Sequence, residues 1–215
     1  MSNTPHGSQP ILRAGTDVLE AEAVLILLHG RGGTAADILA LGRALAPPNW
    51  ALLAPQAAQN TWYPQSFLAE REQNEPWLTS ALDKVKQTIE GVLKAGMQLP
   101  RVFVVGFSQG ACLATEFIGR HPGRYGGFLA FTGGLIGPLD EPIQLTGDLA
   151  GTPILLSAGD PDPHVPWVRI EQSARLLRGI GGDVMLERYP GKPHSIDKVE
   201  IESGRRLIAA QRLAG

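Results

Sequence analysis

The chain has little of what defines several large classes of protein. Cys112 is the one cysteine in 215 residues, so no disulfide can form within the chain and no cluster of cysteines can hold a metal. No apolar run approaches the roughly 18 residues of a membrane-spanning helix. The opening "MSNTPHGSQP" also lacks the basic region and the apolar run of a signal peptide. These absences predict a cytoplasmic protein without stable membrane insertion.

The chain also carries little net charge. Its formal charge is -2 and it has no block of Lys and Arg, which argues against nucleic acid or an anionic membrane as its main partner. With 43% hydrophobic residues, it is long enough to bury a full core as one domain. We predict a single domain over residues 11–215 and a flexible tail over residues 1–10.

Apolar runs of strand length alternate with longer amphipathic stretches along the chain. Most of the short runs are continuously apolar, as expected for parallel strands that are covered on both faces. This alternation predicts an α/β fold with a parallel central sheet and helices on both faces. The predicted strands are 23–30, 50–56, 101–107, 127–134, 153–160 and 184–190, and the predicted helices are 34–46, 76–96, 109–120, 165–179 and 195–212. Residues 57–76 are predicted to form a long surface loop, a length that is uncommon unless the loop is functional or mobile.

The segment "VFVVGFSQGACLA" (102–114) places Ser108 in a Gly-x-Ser-x-Gly turn between a predicted strand and a predicted helix. Ligands of open parallel sheets bind at the carboxyl ends of the strands, which is where this serine lies. In such a turn the hydroxyl is lifted clear of the sheet, and the helix N-terminus can stabilise an oxyanion. The pattern therefore predicts a nucleophile, with a small-residue structural turn as the alternative.

A serine nucleophile needs a base and an acid that orients the base. His194 lies in "YPGKPHSID", between the last predicted strand and the last predicted helix, although an ordinary loop histidine fits equally well. The segment "SAGDPDPHVP" offers Asp160, which can instead cap the turn, and Asp162, which lies further out in the loop. The chain order Ser, Asp, His is that of the α/β-hydrolases.

The segments "LLHGRGG", "GFSQGA", "GDPDPHVP" and "GKPHSI" occur in the order of the phospholipase/carboxylesterase family, which the chain resembles over nearly its whole length. This family of small α/β-hydrolases includes acyl-protein thioesterases and bacterial carboxylesterases. The resemblance implies an α/β-hydrolase fold with a mostly parallel sheet and no large lid domain. It also implies a chemistry that needs no metal and no organic cofactor.

The same resemblance implies roles for individual residues. It places the nucleophile on Ser108, the acid on Asp162 rather than Asp160, and the base on His194. The oxyanion donors fall on the backbone N–H groups of Arg31 and Gln109. The chain departs from the thioesterase branch after "HG", after "SQ" and in "TWYPQSF", so the substrate of that branch does not carry over.

Several readings of function and of substrate binding stay open on the sequence. The expected function is serine carboxylesterase activity on short to medium acyl esters, with acyl thioesterase or lysophospholipase activity as the alternative and a non-catalytic binding module as a remote one. The glycine-rich turn "LLHGRGG" matches neither the dinucleotide pattern nor the P-loop. Cys112 is expected to be a buried core residue, and the exposed face of the last helix can support a homodimer. Three aromatic residues are expected either to wall the substrate pocket or to pack the long loop onto the domain: Trp62, Tyr63 and Phe67.

Overall fold

The computed structural model describes residues 4–213, which form a seven-stranded sheet of order β1-β3-β2-β4-β5-β6-β7. All neighbouring strands are parallel except β1, which runs antiparallel to β3. The strands are β1 (Ile11–Gly15), β2 (Val24–Leu28), β3 (Ala51–Pro55), β4 (Val102–Phe107), β5 (Gly127–Phe131), β6 (Pro153–Asp160) and β7 (Asp183–Pro190).

Helices cover both faces of this sheet. Strands such as β2 are buried on both sides, because alternate residues point into opposite layers: Val24 and Ile26 pack in one cluster and Leu25 in the other, all at 0% exposure. The apolar residues of α2, α3 and α4 pack on the first side, and those of α1 and α5 pack on the second. The helices are α1 (Ala35–Leu45), α2 (Trp77–Lys94), α3 (Gln109–Arg120), α4 (Trp167–Gly179) and α5 (Lys198–Leu213).

The predicted α/β architecture is confirmed, including the mostly parallel sheet and helices on both faces. One strand was not predicted: β1, with the sequence "ILRAG", is a half-exposed edge strand, so it carries no continuous apolar run. None of the helices in residues 4–213 is both long and apolar enough to span a bilayer.

The prediction of a flexible tail over residues 1–10 is wrong for residues 4–10, and residues 1–3 lie outside the described part. His6 is completely buried. Its backbone N–H donates to Ser80 Oγ at 3.0 Å, its Nδ1 accepts from the Ala58 N–H at 3.0 Å, and its Nε2 donates to the Trp62 carbonyl at 2.9 Å. Two ring hydrogen bonds and burial therefore fix a segment whose polar composition gave no signal of packing.

Candidate active site

Ser108 lies at the sharp turn between β4 and α3, at φ 54° and ψ -119°. This left-handed conformation is rare for a residue with a side chain and projects the hydroxyl from the carboxyl end of the central strand. The two flanking glycines allow the close approach that the turn needs. A Cβ on Gly106 would lie 2.2 Å from the Gly110 carbonyl oxygen, and one on Gly110 would lie 2.2 Å from the Leu28 carbonyl oxygen.

His194 lies in the loop between β7 and α5 and contacts both other members of the predicted triad. Its Nδ1 is 2.8 Å from Asp162 Oδ2, and its Nε2 is 2.8 Å from Ser108 Oγ. A carboxylate only accepts, so Nδ1–H donates to Asp162, which leaves Nε2 of the neutral ring to accept from the serine hydroxyl. Three residues that are distant in the sequence thus form one hydrogen-bonded chain.

Asp162 is held as a carboxylate by its surroundings. Oδ1 accepts from the backbone N–H groups of His164 at 2.8 Å and Val165 at 2.9 Å, while Oδ2 accepts from His194. Burial works to raise the pKa of Asp162, but these three hydrogen bonds outweigh it and keep the pKa below its usual value. Asp160, the alternative acid, pairs with Arg188 instead. The structure therefore brings Asp162, and not Asp160, to His194.

The two residues whose backbone N–H groups are the predicted oxyanion donors line the same cavity as Ser108. Arg31 and Gln109 both line it, and the Gln109 N–H begins α3, so it has no acceptor within that helix. The Arg31 guanidinium lies at the rim, where it donates to the Pro64 carbonyl at 2.8 Å and to the Gln65 carbonyl at 2.5 Å. Both residues thus border the cavity beside Ser108, and the Arg31 side chain also contacts the 57–76 loop.

The cavity next to Ser108 has a volume of about 510 Å³. Of the three predicted substrate-binding aromatics, Tyr63 and Phe67 line it. Trp62 is not among the lining residues, which corrects that part of the prediction. Its ring is fully buried, with the centroid 5.5 Å from that of His6 and 5.0 Å from that of His29, and its Nε1–H donates to the His29 carbonyl at 2.8 Å.

The 57–76 loop is packed onto the domain by polar contacts that sequence reasoning missed. The Gln109 side chain accepts from the Trp62 N–H at 2.9 Å and donates to the Tyr63 carbonyl at 2.7 Å. Farther along the loop, Arg71 pairs at 2.5 Å with Glu116 of α3, whose carboxylate is buried. Side-chain contacts from α3 therefore hold the loop against the domain, where it forms one wall of the cavity. The one feature of the sequence that could have pointed to these contacts is Gln109, a polar residue directly after Ser108.

Cys112 also borders the cavity, although it is 1% exposed, as expected of a core residue. Burial raises the pKa of its thiol to about 12. A thiol that stays protonated at neutral pH is a poor nucleophile and a poor metal ligand. Within residues 4–213 no group of three or more His, Cys, Asp and Glu side chains is arranged to hold a metal ion.

Comparison with known proteins identifies the family to which this chain is similar. A family model described as phospholipase/carboxylesterase matches residues 16–211. The chain is also similar to a crystal structure of a phospholipase/carboxylesterase from Dyadobacter fermentans. The two share 42% of their residues with a TM-score of 0.90, over 94% of this chain and 97% of that one.

Curated relatives are more distant. A protein of Arabidopsis thaliana named "Probable carboxylesterase SOBER1-like" is 30% identical over 162 residues, which cover 73% of this chain and 61% of the relative. "Acyl-protein thioesterase 1" of Gibberella zeae is 29% identical over 125 residues, which cover 57% of this chain and 53% of the relative. The matched region thus spans less than two thirds of the length of either relative.

Proposed function

Because the chain belongs to the phospholipase/carboxylesterase family of hydrolases, we propose that it is a serine carboxylesterase acting through Ser108, His194 and Asp162. One observation carries this proposal: the continuous hydrogen-bonded chain from Ser108 Oγ through both ring nitrogens of His194 to Asp162, with 2.8 Å at each step. The remote alternative of a non-catalytic binding module gives no reason for this arrangement at the mouth of a cavity.

The proposed reaction follows from the hydrogen-bond directions. His194 Nε2 takes the proton of Ser108 Oγ as that oxygen attacks the ester carbonyl carbon, and the ring becomes an imidazolium beside the Asp162 carboxylate. His194 then gives this proton to the leaving alkoxide oxygen, which releases the alcohol and leaves an acyl-enzyme. In the second half, His194 takes a proton from water, the hydroxide attacks the acyl carbon, and the serine leaves with the proton returned.

Negative charge develops on the substrate's carbonyl oxygen in the transition state, and hydrogen-bond donors that are already in position must stabilise it. We assign this role to the backbone N–H groups of Gln109 and Arg31. In other serine hydrolases, removal of one such donor costs roughly 3 to 4 kcal/mol of transition-state stabilisation. Because both donors are backbone groups, the side-chain differences from the thioesterase branch leave them intact.

The wall of the cavity supports a short to medium acyl or alcohol group as substrate. Tyr63 and Phe67 supply apolar surface, and the loop that carries them is fixed by Gln109 and Arg71. No separate lid domain is present in residues 4–213, and a cavity of about 510 Å³ is in the usual range for small ligands. Long-chain lipid esters fit this volume less well.

An acyl thioesterase or lysophospholipase is the second candidate, because the same triad attacks oxygen esters and thioesters. The similarity to an acyl-protein thioesterase favours keeping it. A cytoplasmic location, a homodimer through the exposed face of α5, and the absence of nucleic-acid partners stay predictions.

The first test is hydrolysis of p-nitrophenyl esters from acetate to palmitate beside matched acyl-CoA thioesters. We expect the highest kcat/KM on short or medium esters, and a loss of at least about 10³-fold in Ser108→Ala. Ser8→Ala, which changes an exposed serine far along the chain from the turn, is the matched control. Higher kcat/KM on thioesters would move the assignment to the thioesterase branch.

Labelling with a fluorophosphonate checks the nucleophile independently of substrate choice. The wild type and Ser8→Ala should be labelled, and Ser108→Ala should not. A wild type that neither reacts with the probe nor hydrolyses either series would support the binding module.

A further inference from the structure

Lys192 and Glu200 form an ion pair beneath the loop that carries His194. Lys192 Nζ is 2.7 Å from Glu200 Oε2, and the two side chains are 8% and 0% exposed. Buried ion pairs add little net stability, since desolvation offsets much of their attraction. A pair kept at such a position therefore suggests a role in fixing geometry.

Glu200 joins three parts of the structure through its two carboxylate oxygens. Oε1 accepts from Ser157 Oγ of β6 at 2.7 Å, and Oε2 accepts from the Asp197 N–H at 3.0 Å. Asp197 Oδ1 in turn accepts from the Glu200 N–H at 3.0 Å, so the two residues form a reciprocal cap at the start of α5. The strand that leads to Asp162 and the helix that follows His194 are thus linked.

Lys192 fixes the loop itself. Its Nζ donates to the Ser195 carbonyl as well as to Glu200, so a side chain from two residues before His194 is bonded to residues that follow His194. The loop is also held from the strand side, because the Gly191 N–H donates to the Asp160 carbonyl at 2.9 Å. These contacts leave the segment from 191 to 197 attached at both ends.

We propose that the Lys192–Glu200 pair is a positioning element for His194, which holds the ring where it meets Ser108 and Asp162 at the same time. This inference rests on the proposed function, in which His194 is the base. Neither Lys192 nor Glu200 touches the reacting atoms. Each acts through the backbone of the 191–197 loop.

The test uses the double variant Lys192→Met/Glu200→Gln, which removes both charges and leaves no unpaired buried ion. We expect kcat on the best ester to fall by about 10- to 100-fold with KM changed less than about threefold, because a misplaced base affects the chemical step more than ground-state binding. Fluorophosphonate labelling should slow by a similar factor. The single variant Lys192→Arg, which keeps a cation beside Glu200, should have a higher kcat than the double variant.

Two controls separate positioning from general loss of structure. Lys198→Met/Glu202→Gln removes the same two charges from exposed positions near the start of α5 and should behave as the wild type. Circular dichroism and thermal unfolding of all variants should show that each is folded at the assay temperature. If Lys192→Met/Glu200→Gln fails to fold, Lys192→Arg, which leaves no buried charge without a partner, takes its place and should show a smaller fall in kcat with KM little changed.

A readout that does not need activity distinguishes this proposal from the proposed function. In proton NMR, the His194 Nδ1–H that is bonded to Asp162 should give a downfield signal in the wild type, and this signal should broaden or vanish in the double variant. An inactive wild type with this behaviour would reject the esterase and keep the positioning role. A folded double variant with wild-type kcat, pH profile and NMR signal would overturn the proposal.

Discussion

The backbone at Ser108 is strained, because the conformation that projects its hydroxyl from the end of β4 is one that residues with a side chain rarely adopt. A residue with a side chain at φ 54° and ψ -119° costs of the order of 1 to 3 kcal/mol, which the surrounding structure must absorb. The Ser108 N–H donates to the Phe131 carbonyl at 3.0 Å, and the Ser108 carbonyl accepts from the Cys112 N–H at 3.0 Å. Hydrogen bonds on both sides thus hold the strained residue in place.

Substitution at this one residue should separate strain from chemistry. Ser108→Gly and Ser108→Ala both remove the nucleophile, but only glycine adopts this conformation without a steric cost. Glycine also makes the unfolded chain more flexible, which offsets about 0.5 to 1 kcal/mol of the gain. We expect the free energy of unfolding of Ser108→Gly to exceed that of Ser108→Ala by about 1 kcal/mol in urea titrations. Equal values would mean that the turn stores no strain.

Sequence reasoning predicted the residues that meet at the site because each directly follows a strand, and the strand ends converge. The family resemblance selected Asp162 rather than Asp160 as the acid. The physical reason is visible only in the structure, where Asp160 forms an ion pair with Arg188. The prediction that Trp62 walls the cavity was wrong. Nothing in the sequence distinguishes Trp62 from the cavity-lining Tyr63 and Phe67, so the burial of its ring in the core is visible only in the structure.

Among the elements, the close contact between β4, α3 and β2 depends on glycines. The Cβ clash at Gly110 is with backbone of β2, which has no rotamer with which to move away. Five predicted helices and six predicted strands are found because their apolar patterns are set by burial on one or both faces. β1 is the exception, since its sequence "ILRAG" has no continuous apolar run and it joins the sheet through backbone hydrogen bonds with β3.

Two glycine-to-alanine variants test this account of the α3 interface. Gly110→Ala should lower the free energy of unfolding by about 3 kcal/mol or more, because the methyl group overlaps backbone. Gly91→Ala, at an open and exposed position inside α2, should raise it by about 0.5 to 1 kcal/mol. Chemical denaturation of both variants gives the comparison. A tolerated Gly110→Ala would show that α3 and β2 are less closely packed than the structure describes.

For the whole molecule, two buried histidines link stability to pH. His29, like His6, uses one ring nitrogen as an acceptor: Nε2 accepts from the Ala57 N–H at 3.1 Å, while Nδ1 donates to the Gly30 carbonyl at 2.8 Å. Burial is the main reason that the pKa of each ring lies below 6.5. Protonation would add a hydrogen where each ring now accepts one, so both are neutral in the folded protein.

Acid should therefore begin to destabilise the protein before the carboxylates titrate. As pH falls below about 6.5, the unfolded chain binds protons at both histidines and the folded chain does not, so the free energy of unfolding decreases. The loss continues until pH passes below the lowered pKa of each folded ring. Urea unfolding between pH 7.5 and 5 should show this slope, and His6→Gln should reduce it. A slope unchanged by His6→Gln would exclude His6 as a source.

The burial of His6 also bears on how this protein is prepared. Its ring supports the Trp62 carbonyl, and the next residue, Tyr63, lines the cavity. Deletion of residues 1–10 to improve expression or crystal growth would remove no residue of any strand or helix and yet remove a support of the active-site wall. Kinetic constants measured on such a shortened protein would describe a different pocket.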